Sequence, residues 1–187
     1  MLRVALVLAA VLFGPLEGAA QEQNTGELIE RRDIPAAVRA LVTCGTDPDM
    51  VTRHAFAGGY LFAWDCARNP ANLLQALVFT ERYDGAGARL LRFPLPAGEP
   101  TSRRGKDPTA EISNKRLFPL TGEIVEVYID PVEGRFCRFE GRWKLTGAER
   151  TPLLVSFRQT RDCRGRDGWV GVVPADATGT TRERPRR

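Results

Sequence analysis

This 187-residue chain contains four cysteines and one histidine, the residue types that most often act as nucleophiles, general bases or metal ligands. The cysteines are far apart and form no Cys-x-x-Cys pair, which disfavours a zinc site or a thioredoxin-like redox pair, so we expect no metal and no cofactor. An even number of cysteines is typical of disulfides in an exported chain, and the apolar run that follows Arg3 at the N-terminus is typical of export. Three connectivities are possible, and neighbour pairing, Cys44–Cys66 and Cys137–Cys163, is favoured because it closes two loops of similar size.

His54 is the only histidine, so a Ser–His–Asp or Cys–His site would have to use it. It lies in a predicted strand, no Gly-x-Ser-x-Gly motif occurs, and we interpret it as a surface or sheet-edge residue. The carboxylates at predicted strand ends and turns are Asp65, Glu81, Asp84, Glu123, Glu126, Asp130, Asp162 and Asp167. Turn aspartates usually accept backbone hydrogen bonds, although two converging carboxylates would form a glycosidase pair. We therefore assign no catalytic residue.

Arginines and aromatic residues are interleaved between Phe136 and Trp169. Such mixtures can bind polyanions or sugars, which suggests a binding face. Its candidate members are Arg142, Trp143, Arg158, Arg161 and Trp169. The alternative is that inward aromatics form the core while outward arginines solvate the sheet, and the alternation of a strand favours it.

The N-terminus predicts export. A positive charge at Arg3, an apolar run too short to span a bilayer and small residues before Gln21 are typical of a signal peptide over 1–20. We expect a flexible segment over 21–32, a disordered basic tail over 175–187, and no transmembrane segment in the mature chain. The net charge of +4 is partly a property of this tail, so it does not predict nucleic-acid binding.

The rest of the chain predicts a mainly β fold, α+β at most, built from antiparallel meanders with two disulfides. One short N-terminal helix is expected over 33–42, and Gly58-Gly59 predicts a hairpin turn after which Tyr60, Phe62 and Trp64 share one face. A single strand is expected over 111–118. Over 123–129, valines and an isoleucine alternate with Glu126 and Tyr128, which predicts a half-buried strand.

The β-rich domain is expected over 33–174, with halves 33–98 and 109–174 and a long loop over 94–108 that is rich in Pro, Gly and charge. The halves share a faint repeat: Phe79, Asp84 and Gly87 align with Phe157, Asp162 and Gly165. Duplication and chance similarity between hairpins both explain this repeat.

Several segments carry a resemblance to a known group. They are Phe62–Asn72, Arg89–Pro94, Cys137–Trp143 and Gln159–Trp169. They look like segments of small exported β-rich proteins of proteobacteria, a domain-of-unknown-function family, and the resemblance covers 40–175. It is carried by cysteine, tryptophan and turn positions, so it implies a periplasmic address and a disulfide-stapled β fold, and it supplies no catalytic residues.

We therefore predict a periplasmic or secreted monomer that acts as a non-enzymatic binding or inhibitor-like module for an envelope protein or polymer. A small cell-envelope glycan hydrolase and a structural envelope-assembly factor are the alternatives.

Overall fold

The computed structural model describes residues 26–45, 48–96, 109–129, 138–160 and 170–172. Within these ranges the chain is mainly antiparallel β, which confirms the predicted fold class. A 3₁₀ turn (Arg31–Asp33) and one short helix, α1 (Ala36–Arg39), lie between the first two strands. The strands are β1 (Glu27–Glu30), β2 (Met50–Phe56), β3 (Gly59–Arg68), β4 (Leu73–Thr80), β5 (Arg89–Leu90), β6 (Glu111–Ser113), β7 (Arg116–Phe118), β8 (Glu123–Ile129), β9 (Arg138–Thr146), β10 (Thr151–Thr160) and β11 (Val170–Val172).

The first sheet is a meander in the order β1-β2-β3-β4-β5, with β6 also paired to β4. The β2–β3 hairpin turns at Ala57 and Gly58, whose φ angles are 51° and 80°. Two successive positive φ values are those of a type I′ turn, which matches strand twist. The turn lies one residue before the predicted Gly58-Gly59 pair, because Gly59 already pairs with Phe56.

Both faces of the first sheet are buried. On one face Phe62 and Trp64 pack against Ile34 and Val38, and we call this cluster the helix-side core. Tyr60 packs at its margin, so the prediction that Tyr60, Phe62 and Trp64 share a face is confirmed. On the other face a second cluster lies between the two sheets, and we call it the central core. Its members are Phe56, Leu61, Ala63, Leu77, Phe79, Leu91, Phe93, Ile112, Ile124, Trp143 and Leu145.

The second sheet has the order β11-β10-β9-β8-β7, and one of its faces packs on the first sheet. The half-buried strand β8 directs Ile124 and Tyr128 into the protein, with Glu126 between them at 0% exposure. Glu126 accepts hydrogen bonds from the backbone N–H of Ser113 at 3.0 Å and from its hydroxyl at 3.2 Å. These bonds offset the cost of burying a carboxylate.

The chain crosses between the sheets within the stretch expected to be one strand over 111–118. That expectation is wrong, because Asn114 adopts a positive φ of 42° and separates β6 from β7. β6 pairs with β4 in the first sheet, whereas β7 pairs with β8 in the second. β6 therefore belongs to the first sheet although it follows the expected 94–108 loop, and duplication of the halves stays a hypothesis.

Asparagine side chains join the two sheets beyond the end of β7, where β8 has no paired strand on that side among the described residues. The Asn72 amide nitrogen donates to the carbonyl of Ile129 at 2.7 Å, and its oxygen accepts from the N–H of Ile129 at 2.9 Å. The Asn114 amide donates to the carbonyl of Val127 at 3.1 Å. Asn72 thus does what a neighbouring strand would do, by satisfying a backbone donor and a backbone acceptor.

Candidate binding face

The second sheet presents its other face outward, and pairing register decides which side chains lie there. Arg142 is opposite Val125 on β8 and Ser156 on β10, while Glu140 is opposite Arg158. Residues directly opposite each other share a face of the sheet. We call this surface the arginine face. Its described charged members are Arg116, Glu123, Arg138, Glu140, Arg142, Lys144 and Arg158.

Ion pairs hold several of these side chains in place. Arg158 donates to both oxygens of Glu140 at 2.9 Å, and Arg116 reaches the same carboxylate at 3.3 Å. Arg142 lies 3.4 Å from Glu123. The described part of the face still carries five basic side chains against two carboxylates, so these residues contribute a net positive charge. The more exposed Arg142–Glu123 pair adds little to stability, about 0–1 kcal/mol, and mainly restricts the arginine. Glu140 is buried, so its two arginines offset the cost of burying its charge.

Apolar side chains lie among the charges. Val125 is on this face yet 0% exposed. It lies opposite Arg116 and Arg142, and aliphatic stems of arginines can cover apolar surface. Ile129 lies opposite Arg138 and Leu153 lies opposite Lys144, and their side chains are 40% and 54% exposed. Arginine mixed with exposed aliphatic side chains is a composition found at protein–protein interfaces.

The predicted binding residues divide between two sides of the sheet. Arg142 and Arg158 lie on the arginine face, as proposed from the sequence. Placing Trp143 there is wrong: it is 0% exposed, and its indole N–H donates to the carbonyl of Pro94 at 3.2 Å. As the residue next to Arg142 on a strand, it must point the opposite way. Arg161 and Trp169 lie outside the described residues.

Trp143 needs Gly141 beside it. A Cβ at Gly141 would lie 2.0 Å from the indole ring of Trp143, so no other residue fits there without moving the ring. Phe93 meets the same indole edge to face, with centroids 5.5 Å apart. This packing supports the alternative that the sequence left open, in which the tryptophan belongs to the core.

The predicted Cys44–Cys66 disulfide is present and is confirmed. It ties the segment after α1 to β3, and both cysteines pack against the helix-side core. Cys137 and Cys163 lie outside the described residues, so their pairing stays a prediction.

His54 is not a surface or edge residue, and that interpretation is wrong. It is 8% exposed, on a strand that pairs with β1 on one side and β3 on the other. β1 arises within the 21–32 segment expected to be flexible. That expectation fails for Glu27–Glu30, because the strand pairs with β2 and buries Ile29 in the helix-side core.

Lys115 is a half-buried group that the sequence analysis did not single out. Lys115 donates to Gln75 at 2.8 Å, and Gln75 donates to Asp65 at 2.6 Å. Burial lowers the pKa of Lys115 to about 8, with the charge of Asp65 acting in the opposite direction. Lys115 reaches Gln75 on β4 because the chain crosses between the sheets from β6 to β7. The spacing of residues along the sequence could not predict this contact.

Comparisons with protein-family models, with curated proteins and with solved structures find no match for this chain. The suggested family resemblance therefore stays a hypothesis. Among the described residues, no helix is long and apolar enough to cross a membrane.

Proposed function

We propose that this chain is an exported, non-enzymatic binding module whose arginine face recognises an acidic surface on a protein of the cell envelope. The observation that carries the proposal is the excess of five basic side chains over two carboxylates on one solvent-facing sheet surface. The apolar N-terminal run and the Cys44–Cys66 bridge support export.

A protein partner fits this surface because guanidinium groups pair with carboxylates through two parallel hydrogen bonds. Glu140 already accepts hydrogen bonds from one nitrogen of the Arg158 guanidinium, one on each carboxylate oxygen. Held in this way, the arginines lose less side-chain entropy when a partner binds. The exposed Ile129 and Leu153 add apolar area that a small soluble anion would not use.

The hydrolase alternative has less support. Of the carboxylates considered for it, Glu126 is fully buried against Ser113, and Glu123 pairs with Arg142. Each therefore has a structural role that explains its position. The assembly-factor alternative differs from our proposal in needing no defined acidic surface on its partner.

The test uses the full chain immobilised to capture proteins from envelope extract. We compare the wild type with Arg142→Gln/Lys144→Gln and with the control Arg32→Gln/Arg39→Gln, which removes the same charge from exposed positions near α1. We expect the control and the wild type to retain the same acidic proteins, and the arginine-face variant to lose them. Equal capture by all three chains would contradict the proposal.

A further inference from the structure

Three potential metal ligands converge beside the helix-side core. Cys44 follows α1, Cys66 lies on β3, and Glu111 comes from β6, yet one ligand atom of each lies within 4.8 Å of the others. Glu111 is only 3% exposed. It pairs in register with Ala76, a member of the helix-side core, and this places its carboxylate on the same side as the disulfide.

The backbone also brings the segments that carry the two cysteines close together. Gly45 has a φ of 69°, and a Cβ there would lie 2.7 Å from the carbonyl oxygen of Cys66. The chain after α1 therefore runs in close contact with β3. Cys66 itself sits where the β3–β4 register shifts between Asp65 and Ala67, so it is released from regular pairing.

We propose that reduction of the Cys44–Cys66 bridge creates a Cys₂Glu site for one Zn²⁺ ion. A dithiol reductant transfers two electrons and two protons to the disulfide, giving two thiols, while the reductant closes to its own disulfide. Binding Zn²⁺ then releases both thiol protons, and two thiolates and the carboxylate of Glu111 occupy three positions of the ion. Water fills the fourth position.

The scaffold suits this geometry. Zinc binds thiolate sulfur at about 2.3 Å and carboxylate oxygen at about 2.0–2.2 Å in a tetrahedron, which requires its ligand atoms to be roughly 3.5–4 Å apart. A Cα–Cα distance of 5.1 Å between Cys44 and Cys66 lets the two sulfurs reach that separation by side-chain rotation. Oxidation closes the site again, so zinc binding would report the redox state of the bridge.

The test uses the full chain reduced with dithiothreitol, desalted without oxygen and titrated with Zn²⁺ against a chromophoric chelator. Co²⁺ in place of Zn²⁺ gives a thiolate-to-metal absorption that reports sulfur ligation. We compare wild type, Glu111→Gln, Cys44→Ser/Cys66→Ser and Glu149→Gln, an exposed turn carboxylate that serves as the matched control.

We expect the double cysteine variant to bind one zinc ion fewer than reduced wild type, so any contribution from Cys137 and Cys163 cancels. The Glu111→Gln affinity should fall at least about tenfold, a typical minimum for disturbing a metal's surroundings, and Glu149→Gln should match wild type. Equal stoichiometry in the double cysteine variant, equal affinity in Glu111→Gln, or loss of the folded far-UV spectrum on reduction and zinc addition would each overturn the proposal.

Discussion

The two sheets differ in how many of their faces are covered. The first sheet has the helix-side core on one face and the central core on the other, whereas the second sheet has the central core on one face and charged side chains on the other. Substitutions in the first sheet should therefore act on stability. On the arginine face of the second sheet, the described residues Arg138, Lys144 and Leu153 are exposed. A substitution there can therefore change recognition and leave the fold intact.

Trp143 gives the largest expected effect, because it lies on the covered side of the second sheet. Trp143→Ala should lower the free energy of unfolding by about 3–5 kcal/mol through the cavity it leaves. Urea unfolding measures this change. A loss under about 1 kcal/mol would mean that the central core does not depend on this indole, and the contrast between the faces would fail.

The Cys44–Cys66 disulfide joins the segment after α1, which covers one face of the first sheet, to strand β3. Replacing both Cys44 and Cys66 by Ser releases a loop with a sequence separation of 22 residues, and the loop-entropy model gives a loss of about 3 kcal/mol. Denaturant unfolding of the oxidised wild type and of the variant measures the difference. An unchanged midpoint would show that packing of α1 on the helix-side core suffices.

Asn72 tests the junction between the sheets. Asn72→Ala leaves the N–H and the carbonyl of Ile129 without the partner they have now, and we expect a loss of about 1–3 kcal/mol. Asn72→Asp keeps the acceptor but buries a carboxylate oxygen against the carbonyl of Ile129, so it should cost at least as much as Ala. A neutral result for Ala would mean that water replaces the amide.

Lys115 makes stability depend on pH. Its pKa of about 8 in the folded chain is below the ordinary 10.5, so the unfolded chain binds more protons between these two values and stability rises with pH there. Between pH 7 and 9 the wild type should gain about 1 kcal/mol more than Lys115→Met. Unfolding curves at both pH values measure the difference, and parallel behaviour of the two chains would contradict it.

Local patterns in the sequence predict much of the fold. Alternation identifies the shared face of Tyr60, Phe62 and Trp64, and the expected strand over 123–129 matches β8. These features depend only on neighbours along the chain. The inward position of Glu126 depends on a distant part of the chain, because its carboxylate accepts a hydrogen bond from Ser113 on β6 of the other sheet.

The arginine face depends on a feature that the sequence does not mark. The pairing of β9 with β10 shifts by one residue between Leu154 and Ser156, and this bulge places Arg158 opposite Glu140. Without the shift Arg158 would lie opposite Phe139, whose side chain is buried, because a slip of one residue turns a strand over. Residue types alone therefore suggested Arg142 and Arg158 as binding residues. They could not predict which carboxylate each arginine contacts, and they placed Trp143 on the wrong side of the sheet.

The smallest effect on stability should come from the arginine face, where the effect on binding should be large. Arg142→Gln/Lys144→Gln should change the free energy of unfolding by under about 0.5 kcal/mol, as is usual for exposed substitutions. The same holds for Arg32→Gln/Arg39→Gln, which lowers the net charge equally. Comparing binding by these two variants distinguishes an effect of where the positive charge lies from an effect of the net charge.

Binding of a fluorescently labelled polyglutamate peptide, followed by anisotropy at low salt, tests the role of this face most directly. We predict that Arg142→Gln/Lys144→Gln weakens binding at least about tenfold, equivalent to about 1.4 kcal/mol, while Arg32→Gln/Arg39→Gln stays within about twofold of wild type. Equal weakening by both variants would show that only the net charge attracts the acidic probe, and that result would contradict a binding role for the arginine face.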